Sequence, residues 1–500
     1  NLFLLLTQIL YKCDIGLYEA EVIYKRTLRR LFVRWNKNKD VKRSFMKKTY
    51  VTDMTVGKPL GLLVSFMLPL LIGNIFQQLY NIADSVIAGK FAGEDALAAV
   101  GASYPITMIF MAIAVGSNIG CSVVISQYFG AKRFGEMKTA VSTTLLSSVV
   151  LAAVLTAAGL LGSRGMMTLI NTPENIFGDG ALYLRIYIGG FLFLFLYNVA
   201  TGIFNSLGDS RTPLYFLIGS SLGNIVLDLI FVAVFGWGVA GVAWATFIAQ
   251  GIACILALLA LGRRMKAVRT DKRPEIFSRD MLFRVGRIAV PSILQQSFIS
   301  VGNIFIQGLI NSYGSSVIAG YSAAVKLNTF CITSITTLGN GTSSFTAQNL
   351  GAGLLERVRE GLKASVKLAL FFAALFFVAF FLAGRTMLSL FMNEDSTVAM
   401  ETGVLFLKIV SPFYFVIAVK LMADGVLRGA GAMKAFMTAT FTDLLLRVIL
   451  AFLLASFMGT LGIWLSWPIG WVAAAILSVG FYRKGVWKNC SLTRETEEAA

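Results

Sequence analysis

Long apolar stretches follow one another along this chain, separated by short clusters of glycine, proline and charge. A helix that crosses a bilayer needs roughly 20 apolar residues. The pattern predicts twelve: about 60–88, 96–128, 139–162, 181–205, 213–235, 239–262, 286–312, 316–347, 364–390, 399–427, 435–457 and 461–482. Several exceed 25 residues, which implies tilt or extension beyond the hydrocarbon. Helical periodicity adds little, because buried and lipid-facing sides are both apolar; glycine, proline and charge mark the boundaries instead.

The twelve spans are one six-helix unit written twice. Gln127-Tyr128-Phe129-Gly130 recurs as Gln348-Asn349-Leu350-Gly351, and Pro69 as Pro291. The stretch Gly202 to Pro213 recurs from Gly425 to Phe436, and Gly238-x-x-Gly241 as Gly459-x-x-Gly462. The offset holds at 221 to 223 residues throughout. Six spans per copy is an even number, so both copies enter the membrane in the same direction. The predicted fold is an all-α polytopic membrane protein of two parallel six-helix bundles, related by a pseudo-two-fold axis along the membrane normal. Duplication of this kind is the mark of secondary transporters, in which two halves rock about a central site.

Composition agrees. The chain is 56% hydrophobic and 14% charged, with a mean hydropathy of +0.74. From Lys47 onward, 26 basic residues fall on the side of the N-terminus, while only Lys90, Arg164, Arg185 and Arg385 fall on the other. The positive-inside rule then places both termini in the cytoplasm, and it accounts for the net charge of +18 without nucleic acid; the expected location is the cell membrane. The five cysteines are scattered, with no disulfide framework or metal spacing. Histidine is absent, which removes the usual zinc ligand, the usual proton shuttle and the Ser/His hydrolases. The expected organisation is 46–262 as the N-terminal bundle, 263–285 as a basic cytoplasmic linker, 286–482 as the C-terminal bundle and 483–500 as a cytoplasmic tail. Residues 1–45 hold ten of the 44 basic residues and no apolar run long enough to span. They read as upstream or mispredicted sequence, dispensable to a protein starting at Met46; the rival reading is a basic arm on the inner membrane surface.

Polar groups at membrane depth carry the chemistry, since a charge there is costly unless it serves a cavity or a partner. Asp84 has no basic neighbour on its helix; it is a cavity-facing acid or an interfacial cap. Asn224 and Asp228, four apart, share one helical face. They suit sodium, or a proton held by a hydrogen bond; the plain alternative is a helix–helix clamp. Thr246 adds a hydroxyl on the next span. In the second half, Lys420 and Asp424, and Asp443 and Arg447, stand four apart; the simplest reading is that each pair neutralises itself. Pro69 is a static kink or a hinge whose bend follows the charge state of Asp84. Some of the 39 phenylalanines and 17 methionines would line a soft cavity for flat cations.

The stretches YNIADSVIAG (80–89), GAKRFGEMK (130–138), NSLGDSRTP (205–213), GNIVLD (223–228) and GWGVAGVAWAT (236–246) resemble the multidrug and toxic compound extrusion (MATE) transporters, over about residues 54–485. The resemblance implies two six-helix bundles around a V-shaped cavity. It implies export of amphipathic, cationic compounds against a sodium or proton gradient, by a monomer without organic cofactor. It also implies a coupling site at Asp84, Asn224, Asp228 and Thr246, with Tyr80, Tyr183 and Asn198 as polar neighbours. Other members carry a cation site in the second bundle, with a glutamate on the seventh helix and an aspartate on the tenth. This chain offers Gln295, Gln296 and Lys420 there, and Lys420 would repel a cation. The rival function is a lipid-linked saccharide flippase of the wider superfamily, for which Lys326, Lys408 and Lys420 would supply a basic cavity. A membrane-embedded enzyme would need clustered acids or a Ser/His pair, which the sequence lacks.

Overall fold

A computed structural model describes residues 52–270, 273–391 and 397–490. The expectation for residues 1–45 falls outside them. Among the described residues the backbone is helical and carries no strand. The N-terminal bundle comprises α1 (Pro59–Ile87), α2 (Glu94–Gly130), α3 (Phe134–Leu169), α4 (Glu174–Gly189 and Phe191–Ser206), α5 (Arg211–Asp228) and α6 (Gly238–Ala267). The C-terminal bundle comprises α7 (Arg279–Asn311), α8 (Ser315–Gly351), α9 (Leu355–Leu388), α10 (Thr397–Val410 and Tyr414–Ala430), α11 (Met433–Met458) and α12 (Thr460–Arg483).

Ten of these helices are long and apolar enough to cross a membrane, and α4, bent by 47° between its two parts, makes an eleventh. The twelfth, α8, is 37 residues long but rich in Ser, Thr and Asn. It tolerates them because it packs against helices of both bundles, and its basic-side half is almost wholly buried. Lipid therefore never meets most of its polar groups.

The backbone repeats as the sequence does. The bend of α4 at Gly190 has its counterpart in the 3₁₀ turn Ser411–Phe413 of α10. Left-handed or extended positive-φ glycines recur in register: Gly93 with Gly314, Gly208 with Gly431, and Gly238 with Gly459. One pair breaks the rule. Gly353 has φ +75°, and its counterpart is Lys132 at φ +60°, a conformation that costs a side-chain-bearing residue roughly 1–2 kcal/mol.

The lobes meet over the half of the membrane that carries the basic loops. Gln127 Nε2 on α2 donates to the Gly429 carbonyl on α10 at 3.0 Å, and Gln348 Nε2 on α8 donates to the Ser206 carbonyl on α4 at 2.8 Å. These four residues are repeat equivalents, so one contact is made twice across the pseudo-two-fold axis. Beside it, Gly130 and Gly351 sit so tightly on the Gln348 and Gln127 carbonyls that a β-carbon on either would overlap them.

The segment before α1 seals this seam. Met54 N–H donates to Gln348 Oε1, and its carbonyl accepts from Asn349 Nδ2 and from Arg357. From the other lobe, Lys132 forms an ion pair with Asp53. Burial pushes the Asp53 carboxyl up, but the hydrogen bonds from Lys132 and Thr55 outweigh it and hold it below its ordinary value. The strained Lys132 is thus the residue that ties the segment to the N-terminal bundle.

Asp209, in the α4–α5 turn, is fully buried and accepts from Thr212 N–H, Thr212 Oγ1 and Arg264 of α6 at 2.6 Å. Removing one partner of a buried ion pair strands the other charge and costs about 3–5 kcal/mol. Arg264→Ala should therefore lower the thermal midpoint of the purified protein sharply, whereas Lys266→Ala, next to the last residue of the same helix, should not. Equal midpoints for the two variants would remove Asp209–Arg264 from the stabilising contacts.

Candidate functional site

Asp84 stands four residues before α1 opens into a π-turn at Ala88–Ala92, and Asp228 is the last α-helical residue before α5 does the same at Leu229–Val234. The two π-turns pack on each other. Such turns loosen the regular hydrogen-bond ladder and recur at functional sites. Here they bring the two carboxyls into hydrogen-bonding contact. Asp228 and Asn224 are buried, and Asp84 is half-buried.

Neighbouring groups orient the Asn224 amide: its nitrogen donates to Asp228 Oδ2 at 2.9 Å and its oxygen accepts from Thr246 N–H at 3.0 Å. The Tyr80 hydroxyl bonds the Thr246 side chain. Tyr183 is buried within electrostatic reach of both acids, and its ring stacks on Tyr187 at 6.3 Å. Asp84 Oδ1 and Asp228 Oδ1 receive no hydrogen bond. Two carboxyls with unsatisfied oxygens, an amide and two hydroxyls form an all-oxygen cluster, which suits a hard monovalent cation or a shared proton. Among the described residues no trio of Asp, Glu and Cys gathers as a metal site.

The predicted coupling residues thus lie together on α1, α5 and α6, with Tyr80 and Tyr183 beside them. Asn198 is not brought in by any described hydrogen bond; its amide donates to the Leu194 carbonyl of its own helix. Pro69 lies in an unbroken α1, fifteen residues before Asp84. Tyr187 was absent from the sequence reading. Its signal was the i,i+4 spacing from Tyr183, which puts both rings on one face.

The C-terminal bundle differs from expectation. A cavity of about 480 Å³ opens among α7, α8, α10, α11 and α12, lined by Gln295, Gln296, Asn340, Lys420, Arg428 and Arg447 among others. Lys420 pairs with Asp424 at 2.9 Å, as its spacing implied, and Ser478 Oγ also donates to Asp424. Asp443 and Arg447 form no ion pair: Asp443 Oδ1 packs on Gly470 without a donor, and the Arg447 guanidinium lies 4.5 Å from the Trp467 ring centroid. Helical spacing puts two side chains on one face but leaves each free to choose another neighbour. Arg428, counted among the basic loops, is buried against Asn340 and Phe436. Lys326 and Lys408 are exposed, so the buried bases are Lys420, Arg428 and Arg447.

Two six-helix bundles with buried polar groups on unevenly wound helices are the architecture of a membrane transporter. The chain belongs to the MatE family, whose model matches it twice, at residues 69–230 and 291–453. Probable multidrug resistance protein YpnP of Bacillus subtilis is 29% identical over 445 residues, covering 89% of this chain and 99% of that protein. An FAD transporter of Shewanella oneidensis is 25% identical over 348 residues, covering 67% of this chain and 75% of its own length. A solved outward-facing multidrug resistance MATE family transporter of the MOP superfamily superposes with a TM-score of 0.82 at 24% identity, covering 88% of this chain and 98% of that one.

Proposed function

We propose that this transporter is a secondary active antiporter of the cell membrane, with both termini cytoplasmic. It exports amphipathic drugs or toxic metabolites, organic cations among them, in exchange for sodium or protons, and works as a monomer without an organic cofactor. The observation that carries this is the contact between Asp84 and Asp228 at the two π-turns, with Asn224 and Thr246 beside them. Adjacent negative charges in a low-dielectric site repel strongly. The pair therefore takes up a cation or a proton in common. With the basic side sealed, that ion enters from the opposite side. Its binding removes the repulsion, favours a different bend of α1 at Pro69 and reshapes the cavity to release substrate. Ion release to the cytoplasm resets the carrier. The multidrug resistance names of relatives such as YpnP support the drug-export reading.

The buried Lys420, Arg428 and Arg447 are what favours the second reading, a lipid-linked saccharide flippase. Cells loaded with ethidium separate the two. Expression should speed dye loss, and collapsing either the sodium or the proton gradient should stop it, which also names the ion. Dye loss indifferent to both gradients would refute antiport, and no dye loss would favour the flippase.

A further inference from the structure

The charges of the C-terminal cavity are not balanced. Five ionisable side chains line it, all more than nine-tenths buried: Lys420, Arg428 and Arg447 against Asp424 and Asp443. Both acids lie within electrostatic reach of Lys420, and Asp424 is already paired with it at 2.9 Å. An unmatched positive charge remains on the guanidiniums. Burying an uncompensated charge costs several kcal/mol, so the site as built favours a negative partner.

The unsatisfied atoms point the same way. Arg428 Nε, Arg447 Nε and Trp467 Nε1 are buried donors without acceptors, against two cavity acceptors without a hydrogen bond, Asp443 Oδ1 and Asp424 Oδ2, the second of them already ion-paired with Lys420. The Arg428 terminal nitrogen is fixed at 2.6 Å on Asn340 Oδ1, and the Arg447 plane lies over Trp467. Both forks are held in place before any ligand arrives. Trp471 and Tyr321 add aromatic wall to the same cavity. An arginine fork matches the two oxygens of a carboxylate or phosphate, and aromatic walls select flat rings.

We propose that the C-terminal bundle holds a binding site for the oxyanion of an aromatic solute, a flat ring bearing a phosphate or carboxylate, with Arg428 and Arg447 as its donors. This deepens the transport reading by naming a substrate class, and it rests on that reading only for the direction of movement.

The test is equilibrium binding by the full chain, purified in detergent, with two matched pairs of probes. Flavin mononucleotide and riboflavin share one ring with and without a phosphate; 9-anthracenecarboxylate and 9-anthracenemethanol do the same for a carboxylate. At least one charged probe should bind about tenfold or more tightly than its neutral partner, the scale of a charge-assisted hydrogen bond. The pair that shows the preference says which oxyanion is taken. Arg447→Gln should erase the preference, so that the two members of the pair bind alike, and Arg447→Lys should restore part of it. Should these variants fail to fold, the unaltered protein still decides: the charged probe should raise its thermal midpoint and the neutral partner should not. Equal binding within both pairs, or none, overturns the proposal. Displacement only by a prenyl pyrophosphate overturns it in favour of a lipid-linked ligand. Binding needs no ion gradient, so failure of antiport and failure of this site are told apart.

Discussion

Asp84→Asn is expected to stop ion-driven efflux, and Asp228→Asn to do the same, while each protein still reaches the membrane folded. Asparagine keeps the shape and one oxygen but removes the charge that recruits the ion. At an effective dielectric near 20 and a separation of about 4 Å, a unit charge pair is worth about 4 kcal/mol. On that scale efflux should fall by about 100-fold or more. The two carboxyls touch, so the double variant should be no worse than either single one. Asp424→Asn sets the contrast: it unpairs the buried Lys420 and should lower the thermal midpoint first. The decisive measurement is dye efflux normalised to correctly folded protein. Wild-type efflux from Asp84→Asn would dispose of the coupling mechanism.

The second large effect is expected at the crossing of α2 and α8. Gly130→Val and Gly351→Val each place side-chain carbons on a carbonyl of the opposite helix. Overpacking of this kind costs typically about 1–3 kcal/mol. The strain falls on the sealed arrangement, because opening the basic side separates the helices. Both variants should therefore favour the state open on the basic side, and transport should slow by about tenfold or more. The contact is made twice, so the two substitutions should act nearly alike despite lying 221 residues apart. Accessibility of cysteines placed along the seam to a membrane-impermeant thiol reagent, applied from each side, reads the shift. Unchanged labelling in both variants would mean that the seam does not gate.

Much of this was legible in the sequence. The run of apolar stretches revealed all twelve helices, α8 included, although its Ser, Thr and Asn residues leave it too polar to read as a span by composition alone. That Asp84, Asn224 and Asp228 matter was legible because an unpaired carboxylate in an apolar run is costly enough to signal itself, and because Asn224 and Asp228 share a face. The breaks in α4 and α10 were not, since a bend between two apolar segments leaves the composition unchanged. The Asp443–Arg447 pairing was misread for a related reason, although Lys420 does pair with Asp424. Spacing placed Arg447 beside Asp443, but the guanidinium took the Trp467 ring instead. The Gln-x-x-Gly repeat was visible only as a landmark. That its two copies bind each other is a property of the assembled halves, beyond any local pattern.

The unequal charging of the two halves has an electrical consequence. Moving one elementary charge across the membrane against or with its potential is worth about 2.3 kcal/mol per 100 mV. An organic monocation expelled in exchange for one monovalent ion moves no net charge, so the voltage does nothing for it. A monoanion seated on Arg428 and Arg447 and expelled for the same ion moves two charges in the same electrical sense, or about 4.6 kcal/mol per 100 mV. With an interior-negative voltage, the basic lining of the C-terminal bundle would let a cell expel acidic aromatics steeply uphill on electrical energy alone, even where the ion concentrations on the two sides are equal.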